Sequence, residues 1–264
     1  MEKLYPYIYK RKSFHLFRDN KTKECYKDKY HIKTGELEEI YNVFKLLKPL
    51  DNSIKVDIKI VKEEFTNCQR GAEYCILFYS EKKNNYLQNI GFIGEQLDLY
   101  LVSKDIGTLW YGVGKTDALL YNDLSFITMM AICKVPTDSF RKDMFKSKRK
   151  TLEDIWDGNM YLDIASIARF APSSCNTQPW FIREDNDILE IYRYKNPAKR
   201  GIMPIDKVVY QNRIDIGIFI YYMTVLLENS NIQYKLVLFN DNDENNNNEY
   251  TINAKLKLNH LASA

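Results

Sequence analysis

Two segments constrain this chain more than any other feature. Leu87 to Val102 and roughly Asp206 to Glu228 are apolar on nearly every side over lengths too great for an ordinary strand, and so read as helices buried all round. No stretch reaches the ~20 consecutive apolar residues that a bilayer crossing requires, so both helices need protein around them. A chain of 264 residues that is 45% hydrophobic and 14% aromatic can supply that surrounding core, as one large domain or two small ones. The opening residues, MEKLYPYIYKRKSFHLF, have no long apolar core between their charges, which predicts an untargeted cytoplasmic protein with no membrane partner. Basic and acidic side chains, 38 and 35, leave a net charge of only +3, so no overall field draws the chain to nucleic acid, although local basic clusters can hold an anion.

Around the first buried helix, Gly35 to Leu47 carries apolar residues at helical spacing with acidic residues in its first turn. Ile54 to Val61 alternates, and Cys75 to Tyr79 is a short apolar run, so both predict strands. IGTLWYGVGK after the helix reads as a turn-like stretch, followed by a β-rich run from Phe126 to Cys133. A charged segment, RKDMFKSKRK, then separates two halves, 1–150 and 151–264. The second half predicts a helix around Tyr161 to Phe170, a polar loop APSSCNTQP, and a hairpin of Trp180–Arg183 with Ile188–Tyr194 around Glu184–Asp187. After the second buried helix come strands at Tyr234 to Phe239 and Tyr250 to Leu258, joined by DNDENNNNE, too polar to pack and expected to be mobile. The class is α+β: two pseudo-symmetric lobes packed through long central helices. Residues 91–109 and 214–232 both read as an apolar helix ending in a small or polar turn; one α+β domain without a repeat meets that observation equally well.

Two short segments carry chemistry. Arg11, Lys12 and Ser13, followed by His15, offer cationic and hydroxyl donors of the kind that bind a phosphate monoester, though basic tripeptides are usually solvated surface. RFAPSSCNTQPW, Arg169 to Trp180, brackets small and amide side chains with Pro172 and Pro179, which limit φ and can hold Ser173, Ser174 and Asn176 facing a flat heterocycle; a plain helix-to-strand connection is the simpler alternative. Cys25, Cys68, Cys75, Cys133 and Cys175 are scattered without a CxxC pair, fitting neither a disulfide framework nor a zinc site, and His31 and His260 have no clustered ligands near them, so no metal is expected. Cys175 is read as packing rather than redox-active, and Trp110 and Tyr111 as core.

RKSFHLF near the start and APSSCNTQPW after a helix together resemble the two signature elements of the nitroreductase family. GFIGEQLDLYLVSKDIGTLWYG is similar to that family's central helix and glycine turn, and ICKVP with SKRKTLEDI to its closing strand and basic tail, so the resemblance spans about residues 8 to 183. The basic motif, glycine turn and basic tail stand in the first half and the serine and asparagine loop in the second. That order resembles the subgroup in which one chain folds as a pseudo-dimer.

The resemblance implies a flavin mononucleotide (FMN) oxidoreductase that takes a hydride from NADH or NADPH and passes electrons to a nitroaromatic, quinone or similar small-molecule acceptor. Arg11, Lys12, Ser13 and His15 match the phosphate and ribityl contacts, with His15 in place of the usual arginine or lysine. Gly107 and Thr108 match the turn beside the ring, Lys148 and Arg149 the basic tail on the phosphate, and Pro172, Ser173, Ser174 and Asn176 the loop that reaches the flavin ring. No catalytic acid is implied, because the cofactor carries the redox chemistry; Lys12 is the candidate to stabilise the reduced ring. There is no GxGxxG, hence no separate dinucleotide domain. A chain carrying both halves of the family's dimer implies a monomer with one flavin, its other pseudo-symmetric site being filled by side chains. The competing expectations are a flavin-binding protein for storage or sensing, and a relative that keeps the fold without flavin.

Overall fold

The computed structural model describes residues 3–196, 203–241 and 249–259. Its elements are α1 (Tyr5–Lys10), α2 (Thr34–Phe44), β1 (Val56–Lys62), β2 (Tyr74–Ser80), α3 (Tyr86–Ser103), β3 (Ile106–Trp110), β4 (Leu120–Tyr121) and β5 (Leu124–Lys134). There follow β6 (Trp156–Asp157), α4 (Leu162–Ala168), β7 (Trp180–Asp185), β8 (Ile188–Tyr194), α5 (Ile205–Asn229), β9 (Gln233–Leu238) and β10 (Tyr250–Asn259). The chain divides into two compact units. The first holds the described residues up to Tyr86 with Ile93–Met144, the second Leu87–Phe92 with the described residues from Phe145 onward. The division falls ahead of the 150/151 boundary drawn from composition and carries Lys148 and Arg149 into the second unit.

In the first unit an antiparallel sheet runs in the order β1-β2-β5-β3, with β4 also paired to β5. The run at Cys75–Tyr79 is uninterruptedly apolar because β2 is covered on both sides. Cys75, Leu77 and Tyr79 join Phe14, Phe17, Met129 and Ala131 in one buried cluster. On the other side Phe78 stacks on Trp110 at 5.6 Å and meets Phe44 edge-on. Of the stretch read as turn-like after α3, the first half is a strand instead, Ile106–Trp110 pairing with β5 along its whole length, and the turn comes after it. Glycine at 107 suggested a turn but serves close packing, since a Cβ there would lie 2.9 Å from the Phe14 ring.

The second unit has the sheet order β6-β7-β8-β10-β9, antiparallel except for the β6–β7 pair. The expected hairpin is present with one longer arm: β7 runs on to Asp185, and only Asn186 and Asp187 turn, Asn186 in the left-handed region at φ 51°. β9 and β10 pair as expected, while residues 242–248 of the polar connection, and His260, lie outside the described residues. Within this unit the first turns of α3 cross α5 at two glycines. A Cβ on Gly91 would sit 2.0 Å from the Ile214 carbonyl oxygen, and one on Gly217 would sit 1.9 Å from that of Gln88, so only glycine allows the backbones to approach so closely. Both buried segments are therefore helices, as their patterning predicts.

The two units share one plan: helix, two paired strands, long helix, two further strands, with corresponding sheet orders β1-β2-β5-β3 and β7-β8-β10-β9. From the long helix onward a counterpart is found by adding 126 to the residue number. The helices end at Ser103 and Asn229, the residues bulged out of the central strands are Ile127 and Asn253, and the Thr108–Ile132 pair corresponds to Tyr234–Leu258. The sequence comparison of 91–109 with 214–232 found the right elements but was three residues out of register. Apolar helices look alike under a small shift, and the ladders do not.

Candidate functional site

The expected site residues assemble as two groups, one in each unit. In the first unit residues 11–14 run beside β3: Ser13 bridges Thr108, and the Phe14 N–H donates to the Thr108 carbonyl at 2.9 Å. Arg11 is buried, and its guanidinium faces the central helix, with Nε 3.0 Å and Nη2 2.9 Å from Asp98 Oδ2, Nε 3.5 Å from Glu95 Oε1, and Nη1 donating to Ser13 Oγ at 3.1 Å. Thr108 Oγ1 donates to the other Asp98 oxygen at 2.6 Å, and Trp110 Nε1 donates to Glu95 at 3.2 Å. A buried charge needs such partners. Two carboxylates against one guanidinium make Arg11 the anchor of this network, and they meet a charge that the sequence reading assigned to a phosphate.

Lys12 and His15 lie differently. Lys12 Nζ is half-buried and donates to the Ser139 carbonyl at 2.9 Å, and the Arg141 N–H donates to the Lys10 carbonyl at 3.0 Å, which lays the 139–141 segment along the basic motif. Burial, then the nearby Arg141 charge, holds the Lys12 ammonium below its ordinary value. The His15 residue is exposed overall, yet packing around its ring, then the charges of Arg70 and Arg11, holds the imidazole below its ordinary value. Each of these cations is disfavoured by its own surroundings, and a bound anion would reverse the effect.

In the second unit, the chain from Pro172 to Pro179 follows α4 and leads into β7. Cys175, Asn176 and Gln178 have φ of 51°, 54° and 47°, the left-handed region that residues other than glycine rarely adopt. Such a backbone persists only where its surroundings over-determine it. Ser173 Oγ accepts the Gln178 N–H at 3.0 Å; Asp215 Oδ2 on α5 accepts the Ser174 N–H at 3.0 Å; Thr177 Oγ1 and Asn212 Oδ1, one turn earlier on α5, lie 2.8 Å apart. The basic segment supplies the rest. Arg149 Nη1 donates to Asn176 Oδ1 at 3.0 Å, its Nη2 donates to the Phe170 carbonyl at 3.2 Å, and Asn176 Nδ2 donates to the Lys148 carbonyl at 3.2 Å. Lys150 is bound to Gln178 through both its N–H and its ammonium, so of the three basic residues in a row it is the one fastened to the loop's end; the Lys148 side chain is exposed.

Asp215, Asn212, Glu95 and Asp98 were missed by sequence reasoning. Their signal was present: each is a polar residue within a long, mainly apolar and buried helix, and such residues need partners. Asp215 is buried; desolvation pushes its carboxyl well above the usual carboxylate range, with the Ser174 N–H pulling the other way. Cys175 is exposed, and partial burial of its thiol raises its pKa, so it carries no activated thiolate. Among the described residues no group of three or more histidines, cysteines, aspartates and glutamates is placed to hold a metal, and no helix is long and apolar enough to cross a membrane.

An α+β frame built twice on one chain, with a basic motif beside one sheet and a strained serine and asparagine loop against the central helix of the other, defines a nitroreductase-like protein. The family model described as "Putative TM nitroreductase" matches residues 3–226. The chain belongs to that nitroreductase family. The crystal structure of a putative nitroreductase from Thermotoga maritima shares the fold with a TM-score of 0.61 at 19% identity, over 98% of this chain and 94% of that one. A putative nitroreductase from Desulfovibrio desulfuricans, in complex with FMN, gives a TM-score of 0.41 at 15% identity, over 58% of this chain and 95% of that one. A putative NADH oxidase from Clostridium acetobutylicum gives 0.38 at 12%, over 56% and 96%. No curated protein matches the chain in sequence.

Proposed function

We propose that the protein is an FMN-dependent oxidoreductase that oxidises NADH or NADPH and reduces a small acceptor such as a nitroaromatic or a quinone. The observation that carries this is the loop from Ser173 to Gln178, whose three left-handed residues are held by hydrogen bonds from the central helix and the basic segment. Strain of that kind, on a polar loop in a nitroreductase-family chain, marks a ligand-binding surface. The residues fit the group. Lys12, with Arg141 beside it, is a cation that an anionic phosphate would relieve, and the Ser173–Asn176 loop offers directional donors and acceptors for the polar edge of a flavin ring. Arg11 serves instead by fixing Ser13 against β3, since its own charge is met by Asp98 and Glu95.

The cofactor, when bound, supplies the hydride and electron chemistry. The chain's residues bind and orient it: Lys12 and His15 on the phosphate side, Ser173, Ser174 and Asn176 along the ring, Gly107 and Thr108 in the strand that seats the basic motif, and Lys148 and Arg149 in the segment that braces the loop. We propose further that the chain works as a monomer with one flavin. The test is an absorbance spectrum of the purified protein before and after FMN addition and desalting, followed by NADH and NADPH oxidation with nitroaromatic and quinone acceptors. Retained flavin near one per chain with acceptor-dependent turnover supports the reading; retained flavin without turnover makes the protein a flavin carrier. One observation favours a second reading, a chain that keeps the fold without flavin: the neutralised Arg11 leaves fewer cations for a phosphate. A protein with no affinity for FMN would establish it.

A further inference from the structure

Two hydrogen bonds join the loop to the central helix of the second unit, each through a buried polar side chain of α5. Asn212 and Asp215 are three residues apart, so they share one face of α5. The first meets Thr177 and the second accepts the Ser174 N–H, gripping the loop on either side of the left-handed pair Cys175–Asn176. Both are buried, at 0% and 4% exposure. A carboxyl in such a place is costly, and an apolar residue would be the cheaper occupant if packing were its whole purpose. The duplicated frame supplies a control. In the first copy of the frame Tyr86 and Asn89 stand at the corresponding positions of α3, and the connection between α2 and β1, residues 45–55, has no Ser-Ser-x-Asn sequence. That connection is fastened to its helix by Gln96 at Lys48. The Asp-and-Asn pair occurs where the strained loop occurs.

We propose that Asp215 and Asn212 are positioning residues that hold Ser173–Gln178 in its left-handed form and so set how tightly the loop grips a flavin. Neither is assigned contact with the ligand. Asp215 acts through the Ser174 amide and Asn212 through the Thr177 hydroxyl, and the strain at Cys175 and Asn176 is the conformation they maintain. The second clause rests on the flavin reading above. The first does not, and the protein carries its own probe for it: Cys175 is exposed on the loop, whereas Cys68, Cys75 and Cys133 are buried.

The experiment compares the full chain with Asp215→Asn, Asp215→Leu and Asn212→Leu. Thiol labelling is followed at the Cys175 peptide by mass spectrometry, FMN affinity by fluorescence titration, and folding by thermal melting. Asp215→Asn keeps an oxygen for the Ser174 N–H, so its labelling rate and FMN affinity should stay within about threefold of wild type. Asp215→Leu removes the acceptor; labelling should quicken and FMN affinity fall by about tenfold or more, the scale of one lost buried hydrogen bond. Asn212→Leu should move both readouts in the same direction by less. Unchanged labelling in both leucine variants would overturn the clamp. Equal loss of FMN affinity in Asp215→Asn and Asp215→Leu, with labelling unchanged in the first, would make Asp215 a ligand contact and overturn the positioning role. If wild type itself takes up no FMN, the flavin reading fails while the labelling rates still decide whether the clamp exists. Should Asp215→Leu fail to fold, Asn212→Leu carries the comparison.

Discussion

The two units use one backbone plan for different chemistry. The central helix of the first presents Glu95 and Asp98 to Arg11, and their counterparts in the second are Tyr221 and Thr224, where the Thr224 hydroxyl donates to the Tyr221 carbonyl of its own helix. Thr108, which donates to Asp98, corresponds to Tyr234. On its central helix the second unit places a buried acid earlier in the shared register, at Asp215, which corresponds to position 89 of α3, and applies it to a loop. Strand order, register and even the bulge survive duplication because each is enforced by many backbone hydrogen bonds and a shared hydrophobic pattern. Single polar side chains are not so constrained, and they are where the halves have diverged.

The sharpest way to break this comparison is to remove the charge unique to one half. Arg11→Ala leaves two buried carboxylates facing each other and should cost about 3–5 kcal/mol in denaturant unfolding. The corresponding region of the other unit, tested by Thr224→Val, should lose only about 0.5–1.5 kcal/mol. Similar losses would mean that the Arg11 network does not anchor the first unit.

Next in size is the helix crossing. Gly91→Ala and Gly217→Ala each drive a Cβ into a carbonyl oxygen about 2 Å away and should destabilise by about 1–3 kcal/mol or more. Gly35→Ala, on α2 with open space around it, should be neutral or gain up to about 1 kcal/mol. A tolerated alanine at either crossing glycine would refute the close approach.

A smaller effect separates the halves by pH. The Asp215 carboxyl titrates higher in the folded protein than in the unfolded chain, so the folded state binds more protons between those two values, and stability should fall as pH rises from the ordinary carboxylate range through the raised value. Asp215→Asn should flatten that slope in pH-dependent melting. His15 shifts the other way. Its folded value lies below the ordinary histidine value, so its contribution to stability is present above that ordinary value and is lost as pH falls through the window beneath it. His15→Asn should remove this smallest of the effects, and an unchanged profile would mean the imidazole is not perturbed.

Hydrophobic periodicity by itself determined much of this protein: both buried helices, seven of the strands, the α+β class, and the polar loop at Pro172–Pro179 all follow from which residues must leave water and which cannot. It misread Gly107, because a glycine that admits the Phe14 ring looks in sequence like a glycine that turns the chain. It gave no sign of the carboxylates that meet Arg11, because ion pairing with residues 84 and 87 positions away leaves no local mark. The tertiary structure alone decided the repeat register, the partners of Arg11, and the grip of Asn212 and Asp215 on the loop. The physical reason is the same in each case. Burial is a property of one segment's own pattern, whereas the partner of a buried polar group is fixed only when distant segments are brought together.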